Sequence, residues 1–375
     1  MAMVLLSKLL GSRQGRLPAA LALDLSRLRK VATLLGASRQ TLHRTGVNEE
    51  DQLRELNLWL GERLSRCHPS DRVAVANVFT RADRALPRAV KQVVAATLTA
   101  EVTSVRDTGC ADLGIGLNAA QIADIHAHLR AKPLLLAHDA HMATARVASL
   151  AEVPDDQNYA CYDYLDLWSS PHIIERAAHE TVLDLAQGYF GCTPTLYSIN
   201  AFWSFPDRKA HPYSQVFHRD WEDYRSLVAF SLLTPVDIPE EGAHYYVETS
   251  HELAKFEQTL RAAGAADELD RLADRGQGIA PLAMKLFEHT ARRFEGPAGT
   301  SFCIDGYGLH RAMVPKSRPR LLLWMRFGNF LNEAAYKRPR LAGDRAVAES
   351  VLRRIPRTQR HQYVFRYLIQ ALAAV

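Results

Sequence analysis

His218 and Asp220 stand two residues apart in Gln215-Val-Phe-His-Arg-Asp220, so on an extended backbone both side chains leave the same face. A third group, His310, closes the strand-like run Gly299-Thr-Ser-Phe-Cys-Ile-Asp-Gly-Tyr-Gly-Leu. Two imidazoles and one carboxylate, with no fourth protein ligand evident, match the facial set that holds ferrous iron and leaves coordination positions open. Spacing alone is a weak signal, because fifteen histidines supply about one His-x-Asp by accident. Taken singly, His218 and His310 read more readily as hydrogen-bonded core histidines and Asp220 as a turn cap. What gives the set meaning is the order of features around it.

Arg318-Pro-Arg-Leu-Leu-Leu-Trp-Met-Arg326 follows His310. Period two puts Arg320, Leu322, Trp324 and Arg326 on one face, with a guanidinium at the head of a largely apolar row. A planar guanidinium grips a carboxylate better than an ammonium does, so Arg320 is the candidate anion anchor. Arg318 shares its parity but lies nearer the turn. Upstream, Thr195–Phe205 reads as a strand in which Ser198, Asn200, Phe202 and Ser204 share one mostly polar face. Asn200 and Ser204 are therefore candidate ligand contacts, against the plain alternative of a half-exposed strand. Arg219, Arg326, His244 and Tyr245 suit a polar or anionic substrate and suit ordinary structure equally. A rival metal cluster is His138-Asp139-Ala-His141, with His126 and His128 nearby; at i, i+3 the two histidines share a helical face but Asp139 points elsewhere.

Elements must carry these groups. Residues 48–104 have a helical pattern, opened by Asn48 as N-cap, with Asp71 a second cap and Pro87 opening or kinking a further stretch. Asn118 and Gln121 have capping-box spacing before a helix that ends near Pro133. Ser170-Pro171 has N-cap and N1 character for a helix ending at Gly191. Leu227–Leu233 reads as a buried strand, His244–Val247 as a short aromatic one, and Glu252–Arg293 as mostly helical.

This ordered set resembles the phytanoyl-CoA dioxygenase family of Fe(II)/2-oxoglutarate oxygenases over roughly 115–330. The residues that carry the resemblance are His218-x-Asp220, Gly242…Thr249-Ser-His251, Gly299…Asp305-Gly…His310, and Arg320 ten residues beyond. The resemblance implies an α+β fold with a double-stranded β-helix (jelly roll) core flanked by helices. It implies Fe(II) on His218, Asp220 and His310, 2-oxoglutarate held at its distal carboxylate by Arg320, and O2 and a small organic molecule as co-reactants. Halogenating relatives replace the carboxylate by a small residue, so Asp220 points to hydroxylation or a related oxidation; desaturation and ring formation share the same oxidising chemistry. Two departures stand out: Thr249 where Gly is common, and no lysine near Ser204-Phe205.

The domain organisation expected is an N-terminal helical region at 1–110, a jelly-roll domain at 111–335 with a helical insertion at about 252–295, and a basic helical tail at 336–375. The 375 residues, 47% apolar and 23% charged, suit a globular protein with a sizeable core. No apolar run reaches the roughly 18 residues of a membrane span. Five scattered cysteines without CxxC spacing exclude a disulfide framework and a zinc–cysteine site and indicate a reducing, cytoplasmic setting. Residues 1–22 lack acids and share the composition of organellar transit segments. Net charge is +5, concentrated at both ends. Residues 1–47 carry eight Lys/Arg against Asp24, and residues 331–375 nine against three acids. Without a basic stripe interleaved with aromatics, nucleic acid is not an expected partner. The alternative function is a non-catalytic jelly-roll module that binds a partner or anionic surface through these basic ends.

Overall fold

The computed structural model describes residues 99–113, 116–191, 193–209, 214–220, 225–273, 279–328, 341 and 343–375. The transit-like segment, the Asn48 and Asp71 caps and the Pro87 stretch lie outside the described residues. The described chain begins with α1 (Thr99–Thr108) and β1 (Cys110–Leu113). In α2 (Ala119–Arg130) the capping box is complete: Asn118 Oδ1 accepts from the Gln121 N–H and Gln121 Oε1 from the Asn118 N–H, both at 3.0 Å. Three short strands follow, β2 (Leu134–Leu135), β3 (Arg146–Val147) and β4 (Tyr159–Cys161).

The single helix expected from Ser170-Pro171 to Gly191 is two, with a further helix before it. α3 (Tyr164–Ser169) precedes the proline, and α4 (Ile173–Ala177) and α5 (Glu180–Phe190) follow it. Pro171 drives Ser170 into extended backbone, φ −60° and ψ 139°, because its ring disfavours a helical residue before it. Gly191 closes α5 at φ 70°, as expected.

The long strand β5 (Thr195–Ser204) is followed by β6 (Ser226–Leu232), β7 (His244–Tyr246), and helices α6 (Leu253–Ala262), α7 (Leu269–Ala273) and α8 (Ile279–Phe287). Then come β8 (Arg292–Phe294), β9 (Ser301–Asp305), β10 (His310–Ala312) and β11 (Arg320–Gly328). Helices α9 (Arg345–Arg354), α10 (Gln359–Val364) and α11 (Arg366–Ala373) end the chain. No helix among the described residues is long and apolar enough to cross a membrane.

The fold mixes helices with a large antiparallel sheet in the order β1-β9-β6-β11-β5-β4-β2-β3, faced by a smaller antiparallel sheet, β10-β7-β8. Alternation along the central strands divides the apolar side chains into two cores. Leu321, Leu323, Met325 and Phe327 of β11, with Ile199, Ala201 and Trp203 of β5, pack outward against α2–α5 and α9–α11. Leu322, Trp324, Phe202, Phe230 and Phe302 point inward and meet Tyr246 and Phe294 of the small sheet. Phe294 stacks on Phe302 with ring centroids 4.3 Å apart. The central strands are thus buried on both faces, which explains why β6 and β11 read as near-continuous apolar runs.

The tail helices lie on the outer core. Val351, Ile355, Val364, Phe365, Leu368 and Leu372 join the cluster that holds Leu196 and Phe327. Arg354 grips the Glu175 carboxylate and donates to the carbonyls of Trp168, Ser169 and Ser170. Arg360 pairs with Glu180 and Asp184.

Candidate metal centre

The segment 299–310, expected as one strand, divides between the two sheets: β9 lies in the large one and His310 opens β10 in the small one. The turn between them is built by Asp305, whose carboxylate accepts from the Tyr307 N–H at 2.8 Å and from the Tyr189 hydroxyl. At Gly308 a side chain is impossible, since a Cβ would overlap the Tyr246 hydroxyl. His218, expected in a strand, forms a single antiparallel bridge with His310. Their backbones exchange N–H···O bonds at 3.0 Å each way, and the Asp220 N–H donates to the Gly306 carbonyl at 2.8 Å. The two segments are therefore laced together where their side chains meet.

Those side chains converge. Ligand atoms of His218, Asp220 and His310 all lie within 4.8 Å of one another, and among the described residues this is the only such His/Cys/Asp/Glu group. His218 Nε2 is 3.6 Å from Asp220 Oδ1, and His310 Nε2 is 3.7 Å from Asp220 Oδ2. Cis ligands on bonds of roughly 2.1 Å sit about 3 Å apart, so a small inward movement admits an ion. Both rings are oriented for it. His218 Nδ1 is 2.8 Å from the Val216 carbonyl and His310 Nδ1 is 2.8 Å from that of Gly308. Each Nδ1–H donated in this way leaves the Nε2 lone pair facing the carboxylate, the outer-sphere arrangement that fixes a ligand tautomer.

The electrostatics suit a cation. Burial, and then the charge of His218, push the His310 pKa down to about 4 against the opposing pull of Asp220, so its lone pair is free at neutral pH. Burial alone would raise the Asp220 carboxyl, but His310, Arg326, His218 and His138 together hold it below the ordinary carboxylate range. Arg326 Nη2 stands 4.0 Å from Asp220 Oδ2 with its guanidinium over the Trp324 ring.

Arg320 lies on the same inward face of β11, 1% exposed. It donates to the Gly242 carbonyl and, at 3.1 Å, to Ser204 Oγ. Desolvation lowers its pKa to about 10, with Tyr159 pulling upward, so it stays charged at neutral pH, and among the described residues no carboxylate pairs with it. Gly242 adopts φ +99°, and a Cβ there would press on the Arg320 stem. Arg318 instead is exposed and paired with Asp237. Ser204 is at the guanidinium. Asn200 is not: its amide donates to the His138 carbonyl at 2.8 Å, nearer the carboxylate end.

Other residues singled out in the sequence resolve into support. Arg219, buried, donates to the carbonyls of Ser250 and Tyr307 at 2.7 Å and of Leu272 at 3.0 Å. It is a clamp behind the site. Tyr245 packs beneath the Arg311 guanidinium. Ser250 accepts from the Leu309 N–H at 2.7 Å, tying Thr249-Ser-His251 to the residue before His310. Thr249 itself holds φ 68°, where a β-branched residue costs about 1–2 kcal/mol. His126 and His128 bind the carbonyls of Leu233 and Asp166. Contrary to the expectation that Asp139 points away, His141 and Tyr164 bind Asp139, and it is His138 that turns aside, into the aromatic group of Tyr159, Phe202 and Trp324, so no three-ligand group forms there among the described residues. Tyr159, across β5 from Arg320, has no signal in the sequence, because β4 is three residues long.

No family model and no curated relative matches the chain. Among solved structures, it is similar to the non-heme alpha ketoglutarate dependent epimerase SnoN of nogalamycin biosynthesis. That match has 18% identity and TM-score 0.40, and covers 62% of this chain and 80% of that one. The carbocyclase SnoK of the same biosynthesis matches at 15% identity and TM-score 0.41, covering 63% and 85%. HygX from Streptomyces hygroscopicus, solved with nickel and 2-oxoglutarate bound, matches at 13% identity and TM-score 0.40, covering 61% and 86%. At such scores the functional reading rests on the side chains themselves.

Proposed function

We propose that this chain is an Fe(II)/2-oxoglutarate-dependent dioxygenase that oxidises a small organic molecule. In this reading His218, Asp220 and His310 hold the iron, and Arg320 holds the distal carboxylate of 2-oxoglutarate. The observation that supports it best is that the interior between the two facing sheets holds both a two-imidazole, one-carboxylate group and a buried guanidinium without a carboxylate partner among the described residues. A buried unpaired charge costs several kcal/mol, and a dicarboxylate anchored on the metal offsets that cost at its far end. When bound, iron and the oxo-acid activate O2, releasing CO2 and succinate and delivering one oxygen atom to a C–H bond of the substrate.

The protein's part is placement. Val216 and Gly308 hold the two imidazoles by their Nδ1–H groups. Asp220 brings the negative charge that offsets the cation, and three ligands on one side leave the others for cosubstrate and O2. Ser204 and the Gly242 carbonyl fix the Arg320 fork in place, so little rotamer freedom is lost on binding. The facing sheets suit a double-stranded β-helix of phytanoyl-CoA dioxygenase type, and the retained Asp220 favours hydroxylation over halogenation. In this reading residues 111–335 form the oxygenase domain and 336–375 a tail docked upon it.

The test is direct. Wild-type protein is expected to bind Fe(II) or Ni(II) together with 2-oxoglutarate and to form succinate. His218→Ala, Asp220→Ala and His310→Ala are each expected to lose metal binding and succinate formation. Succinate formed at the wild-type rate by all three variants would rule the proposal out.

A further inference from the structure

Four histidines are buried among the described residues: His244, His251, His310 and His361. Three hold a ring nitrogen on a backbone carbonyl, His251 on Arg106, His310 on Gly308 and His361 on Ala178. His244 differs. It is 6% exposed, and neither Nδ1 nor Nε2 has a hydrogen-bond partner among the described residues. Its surroundings are aromatic: Phe230 at 4.9 Å, Phe302 at 5.5 Å, and the His310 ring stacked at 5.5 Å and 23°. Leaving a buried polar group unmatched costs about 1–3 kcal/mol, and native interiors seldom leave one so without a functional reason.

Position supplies the reason. His244 opens β7, opposite Ala312 of β10, with His310 the next residue of β10 on the same face. Gly242, two residues before it, gives its carbonyl to Arg320. The imidazole thus stacks on the metal-facing His310 and follows, two residues on, the carbonyl that holds the anion-facing Arg320. A neutral imidazole has one N–H donor, and among the described residues no group fixes which nitrogen carries it.

We propose that His244 is a cosubstrate-positioning residue, donating its ring N–H to a carboxylate oxygen of 2-oxoglutarate. The inference rests on the proposed iron and 2-oxoglutarate function. The expected consequence has two sides. Without the oxo-acid, His244 is a destabilising polar group in an aromatic setting; with it, the ring supplies a charge-assisted hydrogen bond.

The experiment compares His244→Phe, His244→Leu and His244→Asn with wild type, each loaded with Ni(II), by calorimetric titration of 2-oxoglutarate and by thermal melting. The apolar variants are expected to bind 2-oxoglutarate about tenfold or more weakly. Their Ni(II) affinity is expected to stay within about threefold of wild type by the same measure of negligible change. His244→Asn, which keeps a donor, is expected to recover most of the loss. In melts, the apolar variants are expected to be at least as stable as wild type without 2-oxoglutarate and to gain less stability from it. Undiminished 2-oxoglutarate binding in Phe and Leu variants overturns the inference, as does a loss in Asn as large as in Phe. If wild-type Ni(II) protein takes up no 2-oxoglutarate at all, the dioxygenase proposal itself fails, a result separable from either.

Discussion

His310 and Arg320 sit on the two facing sheets in opposite charge states, and burial acts on both. Desolvation drives His310 to neutrality, with its pKa near 4. It lowers Arg320 only to about 10, too little to remove the charge at neutral pH. The same environment thus yields a lone pair for a cation and a cation for a carboxylate. The His310 shift carries a consequence for stability. An unfolded histidine titrates near 6.5, so between about pH 6.5 and 4 the unfolded chain takes up a proton that native His310 refuses. Stability of the metal-free protein is therefore full above about pH 6.5 and is lost as pH falls toward 4, by about 3 kcal/mol for this group. His244 and His251, also depressed chiefly by burial, act in the same direction. Asp220 is depressed below the carboxylate range, so its contribution is lost only below about pH 4. Urea titrations at steps from pH 7 to pH 4 are expected to show this decline, and His310→Gln a shallower one. A midpoint independent of pH in wild type would contradict it.

Between elements, Arg219 matters more than its place inside His-x-Asp suggests. Its three hydrogen bonds reach the Ser250 loop after β7, the Tyr307 turn before β10 and the end of α7, so one guanidinium joins the strand ends that carry both histidines. Arg219→Met strands these buried carbonyls, a loss of about 3 kcal/mol or more, which corresponds to a melting point lower by roughly 6–12 °C. Metal affinity is expected to fall with it, and Arg219→Lys to recover only part of either. Melting and a Ni(II) titration check this, and an unchanged melting point would show that the clamp is dispensable. The site's residue types were legible in the sequence, because period-two alternation puts Arg320 on the inward face and the capping box marks α2. The element boundaries around His310 were not. Its change of sheet depends on pairing with His218, ninety-two positions earlier, and no local pattern encodes a contact so distant. Nor does composition reveal that His138 joins an aromatic group rather than His141, or that the apparent helix after Pro171 is broken between Ala177 and Glu180. Strands of two or three residues such as β2 and β4 give no measurable period.

For the molecule as a whole, the basic tail poses the choice between a docked element and an arm for an anionic surface. Its apolar positions answer in packing: Val351, Ile355, Val364, Phe365, Leu368 and Leu372 lie in the same core as the outward residues of β5 and β11. At about 1.5–3 kcal/mol for each such side chain, their burial is comparable with the whole stability of a typical domain. Its charges contribute less. Arg360 pairs with Glu180 and Asp184 at 2.6 Å each, near the surface, where such pairs contribute about 1 kcal/mol or less. A docked tail and a charged arm therefore predict opposite rankings for two substitutions. If the tail is part of the core, Phe365→Ala costs about 3–5 kcal/mol and lowers the melting point strongly at any salt concentration. Arg360→Gln then moves it by no more than a few degrees, with an effect that shrinks as salt rises. If the tail is an arm, Phe365→Ala leaves the melt unchanged, and Arg360→Gln weakens a salt-sensitive association with anionic vesicles. Melting curves of the two variants at low and high salt, read beside vesicle co-sedimentation, separate the cases, and the buried Phe365 ring sets the expectation that the first ranking holds.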